Sequence, residues 1–153
     1  MSKITALIGI SGSGKTSYAH KQWETSPHNT LIVERDGIRN LLFGYNESNI
    51  SEYYNRKDIN KLEQTVSEYQ NMLIVKGLEE GKHVIIANTN LNRKRDLESL
   101  NKYGVEVNFK VLDVHLKVAI ERDSKRRRTV GEKVIKKQHN KFKNLIKGLK
   151  KIQ

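Results

Sequence analysis

Cysteine is absent from these 153 residues, and proline occurs once, as Pro27. The first absence removes disulfides, thiol nucleophiles and thiolate-held zinc together, as expected of a cytoplasmic chain. The scarcity of proline, beside a hydrophobic content of 36%, argues for a folded chain rich in regular elements. No apolar run approaches the ~18 residues that cross a bilayer, so no membrane partner is expected. The segment ahead of the first glycine is too short for a secretory leader. His20, His28, His83, His115 and His139 fall at no metal-ligand spacing and read as surface or helix-end positions. Repeats and linkers are missing too, and the length suits one domain over 1–153.

Acidic residues are what the C-terminal part lacks most. Residues 122–153 hold thirteen Lys or Arg against Asp123 and Glu132 alone, which puts +11 of the formal +12 there. A solubilising helix face and an electrostatic footprint for a polyanion account for that skew equally well.

What is present is an alternation of short apolar runs and helical patterns. Buried strands are predicted at 4–10, 30–34 and 83–88, and an outer strand at 105–113. Helices are predicted at 15–24, with Tyr18, Ala19 and Trp23 on one face, and at 36–44, where Asp36 is placed to cap. The stretch 45–56 reads as irregular or loosely helical. A long helix at 57–81 carries Ile59, Leu62, Val66, Tyr69, Leu73 and Val75 or Lys76 near a 3.6 period, with Gly81 as its stop. Further helices are predicted at 92–104, 116–128 and 131–152, the last with Val134, Phe142, Leu145, Ile146 and Leu149 along one stripe. Strands alternating with helices give an α/β fold, a parallel sheet covered by helices on both faces.

Between the first strand and first helix stands GISGSGKT, residues 9–16, a full G-x-x-x-x-G-K-[ST]. In such a loop, glycines let backbone N–H groups, here from Gly12, Ser13, Gly14, Lys15, Thr16 and Ser17, close around phosphate oxygens. The following helix turns its positive end to them. Lys15 is expected to bridge the outer phosphates of a nucleotide, and the Thr16 hydroxyl to ligate Mg²⁺. Chance produces this pattern in under about 1% of chains of this length at average glycine usage. The fold class is therefore a P-loop NTPase-type sheet.

Three further stretches open on the same sheet edge. ERDGIR, residues 34–39, follows the second strand. Asp36 suits a base towards an acceptor hydroxyl and Arg39 a clamp on an anionic group, although helix capping and solvation explain them as well. After the third strand, Asn88 stands where many phosphate-loop proteins carry an acid, which disfavours a hydrolytic engine. Asn88, Thr89 and Asn90 suit substrate contact or a capping turn. ERDSKRRR, residues 121–128, packs five basic residues at one helix end, as a mobile lid over a moving phosphoryl group would, or as a solvated helix end.

Taken in order, GISGSGKT, R-D-x-x-R at 35–39, T-N-L-N at 89–92 and R-x-S-K-R at 122–126 resemble the phage polynucleotide 5′-hydroxyl kinase family, the kinase half of its kinase–phosphatases. The resemblance covers about residues 4 to 128. It implies that Lys15 and Thr16 serve ATP and Mg²⁺, and that Asp36 is the general base. It implies that Arg39 and Thr89 hold a phosphate of the nucleic acid. It assigns Arg122 and Arg126 to a lid at about 122–130, Arg126 nearest the transferred phosphate. Asn88 departs from the family's aspartate. No D-x-D-x motif is present, so 3′-phosphatase activity is not expected, and the basic helix at 131–152 inherits no role. The expected activity is transfer of the γ-phosphate of ATP to the 5′-hydroxyl of DNA or RNA. The alternatives are a small-molecule kinase and a nucleotide-gated nucleic-acid binder with residual ATPase activity.

Overall fold

The computed structural model describes residues 2–88, 97–126 and 130–150, with side chains as far as Gly148. Four parallel strands form one sheet in the order β2-β3-β1-β4: β1 (Lys3–Ile8), β2 (Thr30–Val33), β3 (His83–Ile86) and β4 (Glu106–Val111). Central β1 pairs Lys3 with both His83 and Glu106, and runs in register to Ala6↔Ile86 and Ile8↔Val111. The three predicted buried runs lose their ends, since Ile10, Glu34 and Asn88 lie beyond β1, β2 and β3.

Six α-helices are described: α1 (Lys15–Thr25), α2 (Arg35–Phe43), α3 (Ile50–Tyr54), α4 (Ile59–Glu79), α5 (Leu116–Ser124) and α6 (Glu132–Lys150). Strand side chains alternate between faces, so paired residues mark each face. Ile4, Val33, Val84 and Ile86 point to the face covered by α2 and α4, where Ile38, Val66 and Ile74 meet them. Ile8 and Phe109 continue that face under α5 and α6, against Ala119, Ile135, Phe142 and Leu145. Leu7, Ile85 and Ile32 point the other way, to Tyr18 and Ala19 of α1. The chain leaving β1 turns to one sheet edge and the chain leaving β3 to the other. The crevice between these two adjacent strands is therefore a topological switch point, where such sheets bind ligands.

Several expected faces shift. On α4 the inward residues are Val66, Ile74 and Gly77, whereas Tyr69 and Val75 are exposed. The cause is a close approach at Gly77, where a Cβ would lie 2.8 Å from Leu31 and 2.9 Å from Val84. The helix rolls to seat its glycine on the sheet, which a count of apolar residues does not register. On α6 Ile135 is fully buried and Val134 exposed, and on α1 Trp23 is exposed. His83 is no surface residue: it sits half-buried in β3, its Nε2 sharing a 2.7 Å hydrogen bond with Thr5 Oγ1. Residues 45–56 do contain a helix, α3, while the described part of the helix expected at 92–104 has a 3₁₀ turn (Ser99–Tyr103) that ends at Gly104.

Candidate active site

The phosphate loop leaves β1 at Ile8, whose carbonyl accepts the N–H of Leu112 at 2.8 Å. Gly12 takes φ +81°, and a Cβ there would lie 2.9 Å from the Ala119 carbonyl oxygen. Backbone sign and close approach to α5 thus both demand glycine. Gly14 precedes α1 in the left-handed region, and no side chain caps that helix. The first N–H groups of α1, free of intrahelical partners, are open to an anion. Ser13 Oγ is buried without a hydrogen-bond partner. An orphan hydroxyl, an uncapped helix start and a glycine cradle fit a polyphosphate, and the exposed Thr16 in the first turn fits a metal at its edge.

Lys15 folds back over the loop, donating to the carbonyls of Gly9 at 3.0 Å and Ile10 at 2.9 Å. Burial, then the neighbouring Arg126 charge, lowers its pKa to about 8, and Glu34 opposes them. Glu34 in turn is raised, first by burial and then by Asp36, with His20, Lys15 and Arg126 working against the rise. Lys15 of the loop, Arg126 after α5, and Glu34 and Asp36 after β2 therefore share one electrostatic neighbourhood. Glu34 was not singled out in the sequence. Its signal was position alone, at the end of β2.

Arg122 reaches the loop directly, donating to the Gly12 carbonyl at 3.0 Å. Next to it, Asp123 is only 2% exposed and accepts the N–H groups of Val130 at 2.8 Å and Gly131 at 2.9 Å. One carboxylate thereby ties the end of α5 to the residues that lead into α6. From α6, Gln138 Oε1 accepts the Ser11 N–H at 2.8 Å. Neither Asp123 nor Gln138 was predicted as part of the site.

Asp36 does not cap α2. The cap position belongs to Glu34, whose own side chain makes no capping bond, and Asp36 lies inside the first turn. Its carboxylate is instead 2.8 Å from Arg39 Nη1, one turn on, with the Asp36 side chain 72% exposed. Arg39 is buried. Its Nη2 and Nε donate to the two oxygens of Glu63 on α4, at 2.7 and 3.2 Å, and its guanidinium lies 5.6 Å from the Tyr54 ring centroid. Tyr53 OH donates to the same Glu63 at 2.6 Å. Burial works against both charges, but the pairing wins: Arg39 is raised and Glu63 lowered. Tyr53 is pushed up to about 12 by burial and by its bond to Glu63. Arg39 thus spends three of its five N–H donors on Asp36 and Glu63.

Asn88, at the end of β3, spends its side chain on structure. Its Oδ1 accepts the first N–H of α2, from Arg35 at 2.8 Å, and its Nδ2 donates to Gln70 at 3.3 Å. It thus caps α2 from a neighbouring strand. Thr89 and Asn90, like Arg127 and Arg128, lie outside the described residues.

Fold and site together define a kinase-type phosphate-loop domain. Over residues 4–145 the chain matches the AAA domain family AAA_33, and it belongs to that family. The resemblance to polynucleotide kinases carried by the four motifs recurs in a relative from Autographa californica nuclear polyhedrosis virus that bears the name bifunctional polynucleotide kinase/RNA ligase. The two are 30% identical over 92% of this chain. A chain of the Pnkp1/Rnl/Hen1 RNA repair complex superposes with a TM-score of 0.76 at 19% identity over 95% of this chain. A gluconokinase from Sinorhizobium meliloti 1021 shares the fold at 0.56 and 18% identity, covering 91% of this chain and 74% of its own. This chain spans 21% of the viral relative and 45% of the repair-complex chain.

Proposed function

We propose that this chain is a polynucleotide 5′-hydroxyl kinase, moving the γ-phosphate of ATP to the 5′-hydroxyl end of DNA or RNA. The observation that carries the reading is the Arg39 fork. It holds the exposed Asp36 carboxylate in the first turn of α2, on the sheet edge that also carries the phosphate loop, with a buried guanidinium charge beside it for an acceptor phosphate. The viral relative supports the same acceptor class.

In the reaction, Asp36 takes the proton of the acceptor hydroxyl as its oxygen bonds to the γ-phosphorus, and the bond to the β-bridging oxygen breaks to leave ADP. The N–H groups from Gly12 to Ser17 hold the phosphates, with Lys15 released from its own carbonyls to the outer ones. Thr16 would hold Mg²⁺, which would supply positive charge to the phosphates. Arg122 keeps the loop closed and Arg126 meets the charge that develops on the moving phosphoryl group. Arg39 and Thr89 hold the phosphate next to the reacting nucleoside. Lid 122–130 and helix 131–152 belong to the same single kinase domain. Its place of work is the cytoplasm, that of the host cell if the chain is viral.

Labelled ATP offered with a 5′-hydroxyl oligonucleotide, with sugars and with water alone tests the reading. Label on the oligonucleotide end is expected. Label on a sugar would favour a small-molecule kinase, a reading that the gluconokinase fold keeps in view. Release to water alone would favour a nucleotide-gated binder.

A further inference from the structure

Helix α6 carries a face to which the kinase chemistry gives no task. Its buried stripe, Ile135, Phe142 and Leu145, rests on Ile8, Ile10 and Leu97. Opposite stand Lys133, Lys136, Lys137, Lys141, Lys143 and Lys147, all exposed. Among the described residues Lys136 alone of these meets an acid, Glu132 at 2.9 Å. Residues four apart are neighbours on a helix, so Lys133, Lys137 and Lys141 stack into a ladder of like charge, with Lys143 and Lys147 as a second. Each such pair works against helix formation. Solubility does not require this, because the other long helix, α4, exposes Lys61 and Lys76 with Glu68 and Glu79. A self-repelling stripe that a mixed one could replace points to an external polyanion.

Two contacts place the stripe. Gln138 ties the front half of α6 to Ser11 of the phosphate loop, and the buried stripe reaches Leu97, nine residues beyond Asn88 on the connection that leaves β3. The helix therefore bridges the nucleotide loop and the chain that follows the acceptor edge. At a rise of 1.5 Å per residue its 19 residues span about 28 Å, enough to follow several phosphates of a strand. A lipid surface fits poorly, because an interfacial helix needs its apolar side free, and here that side is in the core.

We propose that the lysine face of α6 is a nucleic-acid track, holding the sugar–phosphate backbone of the acceptor strand beyond the nucleotide that is phosphorylated. The proposal rests on the kinase reading above. Lys133→Gln, Lys137→Gln and Lys141→Gln together remove the longer ladder. The variant is compared with the native protein on a 5′-hydroxyl 20-mer and on a nucleoside 3′-monophosphate, which carries the nearest phosphate and no further backbone. The KM for the 20-mer is expected to rise about tenfold at low salt, with nucleoside kinetics unchanged. The Tm should be equal or higher, since repulsion is removed. Binding of the 20-mer should lose about two from its log–log salt slope, at ~0.7 per single-strand phosphate released. Equal KM changes on both acceptors, or an unchanged slope at native Tm, would overturn the track. So would loss of binding to phosphatidylserine vesicles with the oligonucleotide slope intact. The slope needs no turnover, so it tests the track even if neither acceptor is phosphorylated, an outcome that would sink the kinase reading instead.

Discussion

Arg39 grips Glu63 by both carboxylate oxygens across the seam between α2 and α4, while Arg39 as a whole is 7% exposed. Removing one partner of a buried pair leaves the other charge without compensation. Glu63→Gln should therefore cost about 2–3 kcal/mol, discounted for the partial exposure of Glu63. It should also lower acceptor turnover, because the fork that orients Asp36 is disturbed. The lowered pKa of Glu63 sets the pH sign. Its contribution is complete above the ordinary carboxylate pKa, ~4.3, and is lost as pH falls through the lower folded value. Urea unfolding of both proteins from pH 3 to 7 checks this. A variant within about 0.5 kcal/mol of native throughout would remove Glu63 from the account.

Asp36→Asn separates chemistry from structure. Asp36 caps nothing and is mostly exposed, so melting should hardly change. Loss of a general base typically costs ~10²–10⁴ in rate. Steady-state kinetics on a 5′-hydroxyl oligonucleotide should show that fall in kcat. A turnover within a few-fold of native would take the base away from Asp36.

Lys15 links ATP to protons. Its folded pKa of about 8 lies below the unfolded 10.5. Between those values the folded state binds fewer protons, so the free protein gains stability as pH rises through the window. ATP needs the charged lysine, so its affinity should fall as pH climbs past 8, and binding at pH 8.5 should take up a proton. Titration calorimetry in buffers of different ionisation enthalpy measures the uptake. Uptake that persists in Lys15→Arg would point to another group.

The two arginines around the lid should divide their effects. Arg126→Ala should lower kcat more than it raises the KM for ATP, because its charge matters most as the phosphoryl group moves. Arg122 donates to the Gly12 carbonyl in the free protein, so Arg122→Ala should mainly raise the KM for ATP. Parallel, small changes in both parameters for both variants would return this stretch to a solvated helix end.

Much of this arrangement was legible in the sequence, for reasons that differ by element. Strands buried on both faces betray themselves as apolar runs, and the phosphate loop is local in sequence, so neither needs tertiary knowledge. Faces of the long helices were less legible: a glycine contact at Gly77 and a one-residue shift from Val134 to Ile135 rotate α4 and α6 from their apparent stripes. Glu63, Asp123 and Gln138 went unseen for another reason. Each acts through a partner at least seven residues away, and Gln138 reaches Ser11 across 127 positions. A buried or half-buried polar residue beside an apolar stripe carries no mark of the partner it will find. Arg39 did carry a hint, since an arginine on the inner side of a helix must be paired.

The strand order has a consequence for how this chain is made. Central β1 finds its neighbours in the described sheet at residues 83–86 and 106–111, both synthesised after it. At ~5–20 residues per second, roughly 5 to 20 s separate its synthesis from the arrival of its last partner. Throughout that interval a strand with Ile4, Ala6, Leu7 and Ile8, all fully buried in the finished fold, has no complete sheet to enter. The nucleotide loop hangs from the end of that strand and is braced by Leu112, Ala119, Arg122 and Gln138. It is translated well before the residues that brace it and acquires its shape only with them, so a nascent chain stalled before β4 should hold no ATP.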